Sequence, residues 1–298
     1  MNTAVIDIGT NTLLLLIVDA EMRRVVDLCR FGRLGKGLDA SGNLAPDAIA
    51  RSLDICREYR DVMDQHGVAA PSIIATQAMR EAKNAAQFVG PAEEILRAKI
   101  QIIGGEREAQ LAFTSVAETF RDLAGTPFVV VDVGGGSTEF IVTDGTRVVS
   151  AVSVPIGAVR LTERHIHHDP ATAAEAAALD ADIDAHLATI RLPTHVPLIG
   201  TAGTATTMGA AKLQLTTYDA DAVTGLRLAP GIVEELRGTL LAATVAQKKT
   251  MPGVEPQRAD VIAAGVAIYA RAMAKMQAPV MITCDRGIRW GLVYEQSR

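Results

Sequence analysis

The sequence predicts an α/β fold built from two similar halves, and three observations carry that prediction. Short β-branched runs alternate with helical patterns along the chain, as in sheets covered on both faces. Residues 6–19, IDIGTNTLLLLIVD, lie without a gap over residues 131–144, VDVGGGSTEFIVTD. That alignment sets Asp7 on Asp132, Gly9 on Gly134, Thr12 on Ser137 and Asp19 on Asp144. Three glycine-containing turns each follow an apolar strand-like run.

The elements follow in order. Residues 3–9 read as a strand ending in Asp-x-Gly, residues 11–20 as a second strand, and residues 23–31 as a third after a turn near Glu21. Residues 46–66 read as an amphipathic helix, with Ile49, Leu53, Cys56 and Met63 on one stripe and Gly67 as its stop. Residues 72–76 read as a strand, 77–89 and 91–99 as two helices parted at Pro91, 100–105 as a strand and 106–120 as a helix. The second half predicts a strand at 127–133, a hairpin turning at Asp144-Gly145, a helix, a strand at 195–199, further helices, a strand at 279–283 and a final helix. The Ala/Asp-rich stretch 171–190 has good helix composition and reads as a surface helix, not a linker. A polar joint at 122–126 sets the domain boundary, giving domains 1–124 and 125–298, with the last helix able to pack back on the first. Duplicated halves would set two Asp-x-Gly turns face to face across a cleft.

Composition narrows the classes. The chain has 298 residues, 49% of them hydrophobic, ample for packed cores. Net charge is −5, with no basic tail or basic–aromatic stripe, so the reading expects no nucleic-acid partner. No apolar stretch reaches the roughly 20 residues of a membrane span. The N-terminus enters a strand-like run without a basic region, so the reading expects no signal peptide and a cytoplasmic protein. Cys29, Cys56 and Cys284 lack metal-ligand spacing and read as buried reduced thiols.

The chemistry lies in the turns. Glycines after a strand let the backbone approach a ligand, and they permit left-handed dihedrals that aim successive N–H groups at an anion. GGGST offers Gly134, Gly135, Gly136 and Ser137; DIGTNT offers Thr10, Asn11 and Thr12 in the equivalent place. In IGTAGTATT, Gly203 and Thr204 stand where a helix N-terminus would receive phosphate. Three such loops point to phosphate binding. Asp7 and Asp132 end strands and Glu139 follows the glycine loop; carboxylates beside phosphate oxygens are the usual environment of Mg²⁺. Glu106 and Glu108 follow another Gly-Gly, and one of them should face the ligand. Arg80 and Arg289 are candidate phosphate clamps. His165 and His168 are a helical turn apart, but no carboxylate or cysteine spacing supports a metal there, and a polar helix end before Pro170 is the preferred reading. No nucleophile-elbow or Cys/His pattern is present.

At these residues the chain resembles a known family. AVIDIGTNT, ATQAMREAKN, IIGGEREAQLAF, VVVDVGGGSTEF, IGAVRLTE, GTAGTATT, RADVIAAG and RGIRWGLVYE, in that order, are similar to the motifs of the exopolyphosphatase/guanosine pentaphosphate phosphatase family. That family belongs to the actin-like, sugar-kinase-like ATPase superfamily, and the match is to its short two-domain form. The resemblance implies two ribonuclease-H-like α/β domains around an interdomain cleft. It implies hydrolysis of a terminal phosphoanhydride, with inorganic polyphosphate as substrate and guanosine pentaphosphate as the alternative. An ATP-dependent small-molecule kinase or a nucleotide-gated scaffold of the same superfamily are the rival classes. Carried over by residue, it makes Glu108 the general base for water. Asp132 and Glu139 match acids that hold the metal or the water, and Asp7 matches the first-loop acid, so Asp7, Asp132 and Glu139 are the expected ligands of Mg²⁺, or of Mn²⁺. Gly134, Gly135, Gly136, Ser137, Gly203 and Thr204 match phosphate-loop positions, and Arg80 matches the arginine after the second strand motif; with Thr10 and Asn11 these are the expected substrate-binding residues. It also implies a homodimer. Two departures stand out. Long members carry extra helical domains beyond the position of Arg298, so a long polyphosphate track is not expected here. The family's usual LREG reads IRWG, with Trp290 in place of the glutamate.

Overall fold

Two sheets organise the protein, seen here in a computed structural model that describes residues 2–297. The first sheet takes β1 (Thr3–Ile8), β2 (Leu13–Val18) and β3 (Arg24–Arg30) as an antiparallel meander, followed by the short α1 (Leu38–Ser41) and the long α2 (Pro46–Gln65). Then come β4 (Ser72–Ala75), α3 (Gln77–Glu81), α4 (Ala86–Leu96) and β5 (Ile100–Ile102), with β4 parallel to β1 and β5 parallel to β4. The strand order is β3-β2-β1-β4-β5. α5 (Gly105–Thr119) leads to the second sheet, whose meander is β6 (Phe128–Val133), β7 (Thr138–Thr143) and β8 (Val148–Val154). α6 (Ala158–His165), α7 (Ala173–Ala188), β9 (Leu198–Thr201), α8 (Ala202–Lys212), α9 (Ala220–Val223), β10 (Arg227–Leu228), α10 (Pro230–Ala242), α11 (Val245–Lys248), α12 (Ile262–Met276), β11 (Met281–Thr283) and α13 (Ile288–Gln296) complete the chain. The second order is β10-β11-β9-β6-β7-β8.

The two sheets repeat one plan: a three-stranded meander whose first strand continues into parallel neighbours. The internal repeat extends to hydrogen bonds. Gly9 N–H donates to the Thr12 carbonyl at 2.9 Å, and Gly134 N–H to the Ser137 carbonyl at 3.0 Å. Neither glycine takes a left-handed φ; each is small because that carbonyl lies close to where a Cβ would stand, 3.2 Å for Gly9 and 3.1 Å for Gly134.

The chain divides into two compact units, Met1–Glu108 with Ile288–Arg298, and Ala109–Gly287. The division falls inside α5, whereas the polar joint in the sequence set the boundary at 124/125. The physical reason is that α5 runs unbroken from Gly105 to Thr119 and its residues beyond Glu108 belong with the second unit, so the division falls one turn into this helix, before the polar joint is reached. α13 belongs to the first unit. There the Arg289 guanidinium donates to Asp27 on β3 at 2.6 Å and Gln296 donates to Ser72 at 2.7 Å.

Each unit has its own core. In the first, Ile6, Ile8, Leu13, Leu15 and Ile17 meet Cys56, Tyr59 and Met63 of α2 and Phe88 and Leu96 of α4. The run LLLLIV is buried on both faces, as a central strand of a covered sheet must be. Tyr59 keeps its buried hydroxyl satisfied by donating to the Leu13 carbonyl at 2.7 Å. In the second, α12 is apolar nearly all round and buried. Its Tyr269 hydroxyl bonds the carbonyls of Val131 (2.9 Å) and Thr201 (2.8 Å), tying α12 to β6 and β9 next to the candidate site.

Three local expectations differ from the structure. The helix break lies at residues 82–85, not at Pro91, which sits inside α4. Asn84 exchanges hydrogen bonds with the Leu44 backbone (2.7 and 3.0 Å), and this tertiary contact fixes the break. The strand expected at 195–199 is Leu198–Thr201, so it ends one position past the glycine, on Thr201. Cys29 is exposed, not buried, because β3 is an edge strand; Cys56 and Cys284 are buried, and burial pushes both thiols up to about 12. Residues 171–190 do form a helix, α7, started by a capping box between Thr172 and Glu175.

Candidate active site

The glycine loop of the second unit is built by the elements that flank it. β6 carries Asp132 to its C-terminal end and β7 carries Glu139 back, and the two are direct partners in the antiparallel ladder. Asp132 also pairs with Thr201 on β9, and Glu139 with Ser153 on β8. Partners in a ladder share a face, so Thr201, Asp132, Glu139 and Ser153 form one polar row across four strands. Glu139 is buried, and its Oε1 accepts from the Ser137 hydroxyl at 3.0 Å and the Ser153 hydroxyl at 2.6 Å. Desolvation pushes the Asp132 carboxyl up to about 6, opposed in part by the Thr201 side chain beside it, which pulls it down.

The first turn of α6 takes up the carbonyls of this loop. Ala158 N–H donates to Gly134 O (2.9 Å), and Val159 and Arg160 N–H donate to Gly135 O (2.8 and 3.1 Å). The negative ends of those peptides are therefore turned toward a helix N-terminus and away from any anion. The seat requires Gly157, whose missing Cβ would stand 2.5 Å from Gly135 backbone atoms.

Gly203 and Thr204 open α8 as the sequence predicts, but they differ in kind. The Arg258 guanidinium lies where a Cβ on Gly203 would be, 2.3–2.5 Å away, so Gly203 makes room for an arginine that the sequence reading did not single out. Thr204 is buried, with its Oγ1 against Gly265 of α12, which directs its hydroxyl into the core and leaves its backbone as the polar group near the helix start. Ala202 between the strand and Gly203 holds φ at +62°, a strained conformation for a residue with a Cβ and of the kind found where loops serve ligands.

The first unit places its candidates on the equivalent turn. Asp7 is buried at the penultimate position of β1, beside Leu14 and Ile74 in the ladders, so the counterpart of Glu139 here is apolar. Thr10 and Asn11 are buried, and the Thr10 hydroxyl donates to Gln77 Oε1 at 2.8 Å. The amide nitrogens of Asn11 and Gln77 are buried without a hydrogen-bond partner, two donors that a phosphate oxygen would satisfy. Gln77 stands in the TQAMRE segment already marked by Arg80. Arg80, expected as a phosphate clamp, makes an ion pair with the buried Glu108, the expected base, and donates to the Ile103 carbonyl at 2.6 Å. Glu106 is not buried, and Arg107 forms a two-pronged pair with Glu295 on α13 (2.9 and 2.6 Å).

Other candidates fall away from these turns. Arg289 bonds Asp27, and Trp290 is buried, stacked on Tyr294 with ring centroids 5.8 Å apart. His165 and His168 each have their own carboxylate, Asp182 (2.7 Å) and Glu175 (2.8 Å). Among the described residues no group of three or more His, Cys, Asp and Glu side chains is gathered to hold a metal. Asp132 and Glu139, one face of one sheet, are the pair whose chemistry fits a hard cation completed by phosphate oxygens.

A profile of the Ppx/GppA phosphatase family matches residues 15–298. The chain belongs to this family. Among curated proteins, exopolyphosphatase 2 of Mycobacterium tuberculosis is 35% identical over 281 residues, covering 89% of this chain and 88% of that protein. Among solved structures, an exopolyphosphatase-like protein superposes with a TM-score of 0.92 at 31% identity, covering 100% of this chain and 99% of that one. An Aquifex aeolicus member of the Ppx/GppA family superposes at 0.81 and 29% identity, covering 99% and 97%. The two-sheet α/β architecture is thus the two-domain actin-like architecture of the Ppx/GppA phosphatases. Within that family, the glycine loop, the Asp132–Glu139 pair and Glu108 lie on the motifs from which membership was read.

Proposed function

We propose that this chain is an exopolyphosphatase, a hydrolase that releases the terminal phosphate of inorganic polyphosphate. The single observation that carries the reading is the polar row on the second sheet, where Asp132 and Glu139 stand together beside a glycine loop whose carbonyls are taken up by α6. The exopolyphosphatase similarity supports the choice of substrate.

The reaction breaks the terminal P–O–P bond. A water oxygen bonds to the terminal phosphorus, the chain one phosphate shorter leaves, and one proton of the water goes to a base. The first unit would supply the base. Glu108, held by Arg80, would orient the water and take its proton. Thr10, Asn11 and Gln77 would donate to phosphate oxygens, and the buried amide donors of Asn11 and Gln77 support this. The second unit would supply the backbone of Gly134, Gly135 and Gly136, the Ser137 hydroxyl and the start of α8 at Gly203 and Thr204, with Arg258 beside them. Asp132 and Glu139 would hold Mg²⁺, or Mn²⁺ in its place, with Asp7 as a further acid toward the same cation. When bound, the cation would neutralise phosphate oxygens and stabilise charge in the transition state. Positioning and electrostatics would carry most of the rate, as in phosphoryl transfer generally.

The proposal extends to a cytoplasmic homodimer without nucleic-acid or membrane partners. The net charge of −5 supports the first exclusion, and no helix among the described residues is long and apolar enough to cross a membrane.

One assay tests the function. Phosphate release is compared on polyphosphate and on guanosine pentaphosphate, without an acceptor, with Mg²⁺ and with chelator. Mg²⁺-dependent release favouring polyphosphate is expected. Preference for guanosine pentaphosphate would move the reading to a guanosine pentaphosphate phosphohydrolase, and release from neither would move it to a kinase or scaffold.

A further inference from the structure

The two sheets end in four edge strands: β3 and β5 in the first, β10 and β8 in the second. β10 has two residues and β5 three, too short for a lasting ladder with another chain. β3 and β8 have seven each and occupy equivalent places in the repeated plan. They differ in how they treat a copy of themselves.

β3 carries Arg24, Asp27 and Arg30. Antiparallel pairing of two copies about Asp27 would set Asp27 against Asp27 and each Arg24 against an Arg30. Like charges directly opposite are destabilising, so β3 is protected against self-pairing. β8, VVSAVSV, has no charged residue. Residues 149–153 are all exposed, with Val149 at 61% and Val152 at 39%. Pairing two copies about the central Ala151 sets Val149 against Ser153 and Ser150 against Val152. No register along the strand opposes two charges. For a chain of net charge −5, whose copies repel one another overall, an uncharged strand is the segment best suited to meet a second copy.

We propose that β8 is a dimerisation edge, where a second copy of this chain pairs antiparallel with the first across a two-fold axis to make a continuous twelve-stranded sheet. The contact reaches the candidate site through one bond. Ser153 belongs to β8 and donates to Glu139 at 2.6 Å, so a partner strand would steady the strand that positions this carboxylate. The proposal gives the expected homodimer its interface and does not depend on which phosphoanhydride is cleaved.

The test is light scattering coupled to gel filtration from about 1 to 100 μM. The wild type is expected to be a dimer. Val149→Lys combined with Val152→Lys is expected to be monomeric or at least ten-fold weaker in association, while an unchanged circular dichroism spectrum and a single thermal transition show that it folds. Val25→Lys on β3 should leave the dimer intact. In a Cys29→Ser background, Ala151→Cys at the two-fold should form an intermolecular disulfide on mild oxidation, because opposed Cα atoms of an antiparallel pair lie within disulfide reach. A monomeric wild type overturns the proposal. So does a dimer that survives both lysines, or one that Ala151→Cys does not cross-link.

Discussion

Asp132 and Glu139 are direct partners across the β6–β7 ladder, two carboxylates on one face of one sheet. The ladder puts them together whatever the ligand. Glu139 is kept by two serine hydroxyls on the strand ends around it, whereas Asp132 has one threonine beside it and its burial disfavours the charge.

The first prediction concerns stability. Burial raises the Asp132 carboxyl from an ordinary value near 3.8 to about 6, so at neutral pH the folded chain carries a charge that costs more than it does in the unfolded chain. The cost is at most about 3 kcal/mol. It is absent below about pH 4, where the group is protonated folded and unfolded alike. It grows as pH rises toward 6 and is constant above. Asp132→Asn should therefore unfold at higher denaturant than wild type at pH 8 in EDTA, and the gap should close by about pH 4. Equal or lower stability of the variant at pH 8 would count against the buried charge. The same variant should lose phosphate release.

The second concerns the hold on Glu139. Ser153→Ala removes the 2.6 Å donor from its Oε1 and should weaken Mn²⁺ binding about ten-fold, read directly by electron paramagnetic resonance of the free ion. Ser153→Thr, which keeps the hydroxyl, should restore most of it. Wild-type Mn²⁺ affinity in the alanine variant would show that Glu139 does not depend on β8.

The third concerns the seat of the glycine loop. A methyl group on Gly157 would meet Gly135 backbone at 2.5 Å, and backbone cannot step aside as a side chain can. Gly157→Ala should fold, raise KM for polyphosphate at least ten-fold and shift the loop. At Gly203 the obstacle is the flexible end of Arg258, so Gly203→Ala should raise KM less. Reversal of that order would contradict the account of the loop.

Much of this architecture was legible in the sequence, for a physical reason. Strand periodicity and a gapless repeat of Asp-x-Gly report backbone geometry that side-chain packing then preserves, so the paired meanders and the placement of Asp7 and Asp132 could be read directly. Glu139 could be read as well, because a tight hairpin fixes the register of β7 on β6. What the sequence hid were contacts between segments far apart in the chain. The pairing of Arg80 with Glu108 joins the end of α3 to the start of α5, and the seat of Arg258 on Gly203 joins residues 55 positions apart. Neither has a local pattern. The helix break after Glu81 was missed because Asn84 bonds to Leu44, overriding the signal of Pro91. Thr204 does stand at a helix N-terminus, as read, but its side chain is buried against Gly265 on α12, a contact between distant segments that no local pattern shows.

The central claim is that Glu108 activates water against the end of polyphosphate. The direct measurement is phosphate release from polyphosphate in ¹⁸O-labelled water with Mg²⁺, for the wild type and Glu108→Gln side by side. The amide keeps the size of the side chain and a partner for Arg80 but cannot accept the proton. The account predicts one labelled oxygen in each phosphate released by the wild type, and a fall in kcat of about 10²–10⁴-fold in the variant with KM little changed. Unlabelled product, or a variant that turns over at near the wild-type rate, would contradict it.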